Sequence, residues 1–558
     1  MLNSENKILG KISTLTFSLV LIIILLFWES CSDHKKSGEN QIVIGVQSDV
    51  QTINPMYAFS LIEGNVVDLL FMKLAQEIWN ESLGIIEFKP MLAEKWEWNK
   101  DSTSITLFLR DDIYWSDGTP ITIDDIIFSF DVYSDPNVNS RFFGQFDDFY
   151  TLENLQIDTI KTFSRVSPRV LIINFKREAS TSLLDINLEI IPKHIWSKYS
   201  REEFSNAETN FKPVTSGPFK IDKWEQEGFI SLIIDSSSFL FEPDNVQKLI
   251  FKVIPDYKTR LIELKTGSID LLDNIKSEDV SEIKLIHNLK IAALRGRDYD
   301  YVGWNHSDPE KVGKAPNKFF ASSQIRQALS YAINRKEIVD SYLGQFGEIS
   351  NGPVSPMFKL YYDSKANVYE YNPNRAKEIL MENGWLDKNN DGVLDKGSLE
   401  FTFDLYLNSG NPRRTYVAQL VKNNLKAVGI DVKVNELESG TFIDGLMNRK
   451  YDAWIAGWTI PVPIDLNPYW NSDREIGFLN FSSYQNKEKD KILDSLQQRL
   501  SESEKINLYK ELQGIFYNDE PVTFLYWFDN IIAYNKRISK INFSVLGLVK
   551  NAWEWRIN

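Results

Sequence analysis

Apolar residues follow two different periods along this chain, and the switches between them outline its elements. QIVIGV (41–46) is dense in β-branched residues and predicts a first strand. ITLFLR alternates within LAEKWEWNKDSTSITLFLRDDIYWSDGTPITIDDIIFSFD (92–131), with SDG as a turn. Thr122 and Asp125 form a capping-box pattern ahead of IIFSF, which gives Asp124 and Asp125 a helix-starting role. VLIINF (170–175) and FISLIID (229–235) predict strands, and TSGPFKIDKW (215–224) a turn running into one. KTRLIELKTGSIDLLDNI (258–275) reads as a helix, a stop at Gly267, then a strand.

From 320 to 460 the rhythm is cleaner. SSQIRQALSYAINRKEIVDSYLG sets Ile325, Ala328, Leu329, Ala332 and Ile333 on one helical face. Asn372-Pro373 opens a helix that Gly384 closes. FTFDLYL (401–407), a helix from PRR to Gly429, IDVKV, a short helix TFIDGLMNRK and YDAWIAGW then alternate strand with helix. This is an α/β rhythm, in which ligands are met beyond strand C-terminal ends. WIAGWTIPVPIDLNPYW (454–470) begins as such a strand. It cannot continue as one, because Pro461, Pro463 and Pro468 cannot donate to a ladder. TIPVPIDLNPYW therefore stands where a binding loop belongs.

The N-terminal pattern is different. Lys7 and Lys11 precede a stretch apolar from Leu15 to Trp28 except for Thr16 and Ser18. That is short for a membrane span and fits the apolar region of a signal peptide. The only cysteine, Cys31, follows it and leads into a polar, tether-like segment. This arrangement resembles a bacterial lipoprotein signal, which implies a leader over 1–30, lipid on Cys31 and a tether over 31–40. Of the residues before the cysteine only Ser30 fits that pattern, and an uncleaved anchor with a free thiol is the alternative. Either form places the body outside the cytoplasm and ties it to a membrane.

Composition narrows the function. A chain of 558 residues is too long for one core. With one cysteine no internal disulfide can form, and His34, His194, His287 and His306 are scattered, so no metal or other cofactor is expected. A net charge of −15 without a long basic run argues against nucleic acid as partner. Aromatic content of 13% suits both a large core and a ring-walled cleft. LDKNNDGVLDKGS (386–398) has calcium-loop spacing, but Ser398 stands where a bidentate Glu is needed, so an Asx-rich turn is expected. GxSxG, GxGxxG and the P-loop pattern are absent, which leaves binding rather than catalysis as the expected role.

Several of these stretches stand in one order: the 92–131 block, SGPFKIDKW, LKTGSID, YVGWN with SSQIRQALSYAINRKEIV, ENGWLDKNNDGVLD, WIAGWT and EPVTFLYW. Together they resemble the bacterial extracellular solute-binding proteins of family 5, the peptide- and nickel-type receptors of ABC importers. The resemblance implies an α/β, two-lobe periplasmic-binding-protein fold of type II with an inserted subdomain and a hinge. Lobe I would run over 41–296, with the insertion at about 85–205, and take back 522–558. Lobe II would span 297–521, with hinge crossings near Arg297–Asn305 and Glu520–Trp527. A solute held between the lobes, an ABC permease as partner, a monomer and an envelope location are implied with it. A sensing or adhesion protein of the same fold, or an envelope hydrolase, are the alternatives.

In peptide-binding members an aspartate three residues after the tryptophan of GW meets the peptide amine. Here Gly457, Trp458 and Thr459 match, but the aspartate's position is Pro461 and a preceding arginine's is Ile455. Asp465 is the remaining acid, with turn capping as its alternative role. The resemblance also points to Tyr57 beside Met56, to Tyr301 and Asn305 at the first crossing, and to Phe524 and Tyr526 at the second. For each of these a structural ring or core role is the alternative.

Overall fold

The protein was analysed as a computed structural model that describes residues 40–176 and 182–558. The leader 1–30, Cys31 and the tether up to residue 39 lie outside the described residues. Among the described residues no helix is long and apolar enough to cross a membrane.

The chain opens with β1 (Gln41–Val46), then a hairpin of β2 (Ala75–Asn80) and β3 (Ile85–Pro90). A separate antiparallel sheet follows, built from β4 (Ala93–Trp98), β5 (Ser104–Leu109), β6 (Phe163–Ser167) and β7 (Val170–Asn174) in the order β4-β5-β7-β6. Its helix Ile123–Tyr133 starts on the predicted capping box of Thr122 and Asp125. The chain then returns through β8 (Phe219–Glu225), β9 (Phe229–Ile234), β10 (Lys248–Val253) and β11 (Leu271–Leu272). Gly267 ends the helix before β11 at φ 80°, a left-handed conformation that only glycine adopts at no steric cost.

Two long strands hold the molecule together, β12 (Leu289–Trp304) and, near the C-terminus, β19 (Val522–Asn535). Between them lie β13 (Gly347–Ile349), the two-residue pair β14 (Asp395–Lys396) and β15 (Leu399–Glu400), β16 (Thr402–Asn408), β17 (Asp431–Leu437) and β18 (Ala453–Thr459). All but the small sheets join one eleven-stranded sheet of order β17-β16-β18-β12-β19-β11-β1-β10-β9-β8, with β13 also on β19. The predicted helix starts hold: Asn372 and Asn411 each cap a helix with proline in its first turn. The helix that carries Ile325, Ala328, Leu329 and Ala332 on one face does not run through the whole of SSQIRQALSYAINRKEIVDSYLG. It ends at Ala332, and Asn334 caps a new turn from Arg335. In that turn the buried guanidinium of Arg335 donates to the carbonyls of Ser350, Phe524 and Tyr369.

Burial splits the molecule into two halves. One core gathers Ile42 to Phe251 with Ile532 to Trp555. Two others gather residues from Tyr299 to Trp527. The boundary falls at an irregularity of β12 and β19 between Leu294 and Asp298. There the Gly296 amide donates to Asp529 Oδ1 at 3.0 Å. A Cβ on Gly296 would sit 1.6 Å from the Phe528 carbonyl oxygen, so no larger residue fits this approach.

Candidate functional site

Strand direction decides where a site can lie. β16, β17 and β18 are mutually parallel, and β18 runs antiparallel to β12. β1 runs parallel to β10 and β11, and β11 runs antiparallel to β19, as β12 does. The C-terminal ends of both parallel sets therefore face each other across the boundary. This is the position at which α/β sheets bind ligands.

A cavity of about 500 Å³ occupies that position on one face of the sheet. The first half contributes Asn274, Lys276, Ser277 and Ile531, and the second half Tyr342, Phe346, Asn408–Arg413 and Ser439. Phe528 and Asp529 line it from the crossing itself. Its size suits a small ligand. The halves touch beside it and also on the opposite sheet face. Tyr342 Oη donates to Glu278 Oε2 at 3.0 Å, the Leu360 amide donates to the Leu83 carbonyl at 2.9 Å, and the Trp79 and Phe358 rings meet edge-on at 5.9 Å.

The cavity's charged residues are Lys276, Asp529 and Arg413, the last in the first turn of the helix Pro412–Lys426. The Arg413 Nε–H donates to Asp300 Oδ2 at 2.9 Å, and its guanidinium lies 3.9 Å over the Phe528 ring. Arg414 donates to Asp300 Oδ1 through Nε at 3.2 Å and Nη2 at 3.0 Å, and the Tyr526 hydroxyl donates to Oδ2 at 2.8 Å. Asp300 is fully buried. Burial alone would push its carboxyl up, but the Arg413 and Arg414 charges overcome that and hold it down to about 2. Beside it Asp298 accepts from the Thr459 hydroxyl, and burial pushes its carboxyl up. Asp300 is thus shared by two guanidinium groups, of which Arg413 reaches the cavity, while Asp529 brings a carboxyl group to the same lining.

The sequence-derived candidates separate into three groups. Gly457, Thr459 and Tyr526 flank the Asp298–Asp300 layer behind Arg413. A Cβ on Gly457 would lie 2.3 Å from Asp300 Oδ1, so glycine is what lets the carboxylate sit there. Trp458, Tyr301 and Phe524 lie on the opposite sheet face in an aromatic cluster. Trp458 packs on Tyr469 (4.9 Å) and Phe481 (5.4 Å), while Tyr301 and Phe524 both pack on Tyr299 (5.8 and 5.6 Å). Tyr299 Oη, Trp470 Nε1 and Trp527 Nε1 in that cluster are buried with no hydrogen-bond partner among the described residues. The third group is tied up locally. Asn305 donates to the carbonyls of Arg449 and Tyr451, and Tyr57 to that of Val138. Asp465 accepts from the Asn467 amide at 3.0 Å and Gln497 Nε2 at 3.2 Å. None of the nine lines the 500 Å³ cavity.

In the 387–398 turn Asp387, Asn389 and Asp391 accept from backbone amides of the same turn, and no group of acids or histidines fit to hold a metal occurs among the described residues. Reasoning from sequence missed Arg413, Asp300, Phe528 and the 274–277 segment. The rule applied to WIAGWT had equal force at β16, whose end runs into NSGNPRR, and would have reached Arg413.

Comparison with known proteins agrees with this geometry. The family described as bacterial extracellular solute-binding proteins, family 5 Middle, matches residues 87–477. The oligopeptide-binding protein AppA of Bacillus subtilis is 27% identical over 555 residues, covering 96% of this chain and 97% of the relative. Its structure in complex with a nonapeptide superposes with TM-score 0.68 at 26% identity, over 93% of this chain and 99% of that one. NikZ of Campylobacter jejuni in complex with Ni(L-His) gives TM-score 0.71 at 25% identity with the same coverage. Heme-binding protein A of Haemophilus influenzae is 23% identical over 533 residues, covering 91% of this chain and 92% of the relative.

Proposed function

The chain belongs to the bacterial extracellular solute-binding proteins of family 5, and from that premise we propose that it is the receptor of an ABC importer, capturing a peptide-like or other small polar solute between two lobes and delivering it to a membrane permease. The observation that carries this reading is the convergence of strand C-terminal ends from both halves on one cavity at the β12–β19 crossing. The family is one of binding proteins, and the proposed role is binding without turnover.

In this reading lobe I comprises 41–296 with the return of 522–558, lobe II comprises 297–521, and the hinge works at the irregularity around Gly296 and Phe528. The two long strands form a ribbon whose bending moves one half against the other. The solute's contacts to the second lobe drive closure, since only differential affinity shifts such an equilibrium. We assign Arg413 and Lys276 to an anionic or carbonyl group of the solute, and Phe528, Tyr342 and Asn411 to its body. On the aromatic face the unpartnered donors of Tyr299, Trp470 and Trp527 support a polar contact beside Trp458 and Tyr301.

The relatives are named for oligopeptide and heme, and a solved neighbour holds nickel–histidine, so family membership leaves the solute open. Pro461 and the internally bonded Asp465 leave a free peptide amine without the acid that would pair it, which favours a solute lacking that group. The body works as a monomer in the cell envelope, anchored through lipid on Cys31.

Native mass spectrometry of the purified protein identifies the co-purifying solute, and small-angle scattering with that solute reads closure. Compaction without turnover is expected. A tightly bound solute that produces no compaction defeats the two-lobe mechanism, and a co-purifying mixture of free-amine peptides defeats the reading of Pro461.

A further inference from the structure

A second cavity lies in the second half, at the end of β12 remote from the crossing. It measures about 400 Å³, and its cationic walls are Lys314, Arg449 and Arg474, with His306, Ser472 and Ser483 between them. Among the described residues no aspartate or glutamate lines it. This is unusual in a chain of net charge −15. Neighbouring cations are neutralised, Lys450 by Asp444 and Lys489 by Asp490. Lys314, Arg449 and Arg474 enter no ion pair among the described residues. The guanidinium of Arg449 reaches only long contacts to carbonyls, 3.4 Å to Met447 and 3.3 Å to Asn480.

Two buried polar atoms in the wall, Arg449 Nε and Ser483 Oγ, have no hydrogen-bond partner among the described residues. Such atoms destabilise the fold unless something satisfies them. Both residues also hold the backbone in the left-handed region, at φ 54° and 56°, where non-glycine residues are uncommon. Burial, and then the neighbouring Arg474 charge, lower the pKa of the Arg449 guanidinium from its ordinary value. An anion between the two would relieve that repulsion and occupy both unpartnered groups.

We propose that this cavity is a binding site for a phosphate-type oxyanion, separate from the solute cavity at the crossing. Guanidinium groups offer paired donors to such an anion, the Lys314 ammonium adds a point charge, and the Ser483 hydroxyl adds a neutral donor. The volume admits a phosphate with a small ester substituent, so a free phosphate and the phosphodiester of a lipid headgroup present the same chemistry.

Lys314 and Arg474 are exposed and make no side-chain bond or ion pair among the described residues, so the double variant Lys314→Gln/Arg474→Gln should fold like the parent. Calorimetric titration of the full chain with inorganic phosphate, at fixed ionic strength against chloride, forms one arm. Sedimentation with phosphatidylglycerol–phosphatidylcholine vesicles, against pure phosphatidylcholine, forms the other. The wild type is expected to bind in at least one arm, and the double variant at least ten-fold more weakly in that arm. Binding of phosphate identifies a free anion, and phosphatidylglycerol-dependent binding alone identifies a lipid headgroup. Equal behaviour of the two proteins, or no binding by the wild type in either arm, overturns the proposal.

Discussion

Replacing Asp300 by Asn should cost the protein about 3–5 kcal/mol, because it leaves two half-buried guanidinium groups side by side without their shared counter-ion. The shape is almost unchanged, so the loss reports charge rather than packing. Its pH dependence can be worked from the carboxyl itself. The group falls from 3.8 to about 2 on folding. At about 1.4 kcal/mol per pKa unit this contributes about 2–3 kcal/mol. A depressed acid stabilises fully above its unfolded pKa, and the contribution is lost as pH falls from about 4 to 2. Urea unfolding of both proteins at pH 7, 4, 3 and 2.5 should therefore show their stability difference shrinking across the acid range. Removing one surplus cation, in Asp300→Asn/Arg414→Gln, should recover part of the loss at pH 7. Solute affinity should fall in Asp300→Asn, since the carboxylate holds Arg413 over Phe528. A loss below about 1 kcal/mol, with a pH-independent difference and unchanged affinity, would refute the assignment of this network.

Two other outcomes follow from single side chains. Asp465→Ala removes acceptors for the Asn467 amide and Gln497, so it should lower stability by about 1 kcal/mol while solute affinity, read by titration calorimetry, stays unchanged. Glu520 is buried, which pushes its carboxyl up to about 7 against the pull of the Ser330 hydrogen bond, Arg335 and Arg326. An acid raised on folding favours the native state below its unfolded pKa and loses that contribution as pH rises through 7. Glu520→Gln should therefore be the more stable protein at pH 8, by about 3–4 kcal/mol, with the advantage gone near pH 4.5 in thermal melts.

Much of the secondary structure was legible because its signals are local. Asn-Pro helix starts, the glycines at 267, 384 and 429, and the alternating runs at 104–109 and 402–408 each fix a few residues by themselves. The long crossing strands were not legible as strands. LKIAALRGRDYDYVGW carries Arg295, Arg297, Asp298 and Asp300 at positions that strand alternation would not mark. Those charges are accommodated by partners far along the chain, Asp300 by residues 113 and 114 positions away. Motif order pointed to the right family, yet the candidate residues scattered to three places, because a motif marks a segment and not the direction of its side chains. The register of β12 against β18 decides that Gly457 faces Asp300 while Trp458 faces the aromatic cluster.

The placement of β19 also governs how the molecule can come into being. β11, in the middle of the first half, has β19 as its neighbour, and the Val246 amide donates to the carbonyl of Trp555. Trp553 and Trp555 are buried in the first half's own core. The N-terminal half therefore cannot finish its sheet or close its core until the last residues of the chain have arrived. The second half needs only Val522–Trp527 from β19 and can complete itself sooner. Contacts of such long sequence separation fold slowly. The first half thus stays open until residues 532–555 are available to close it.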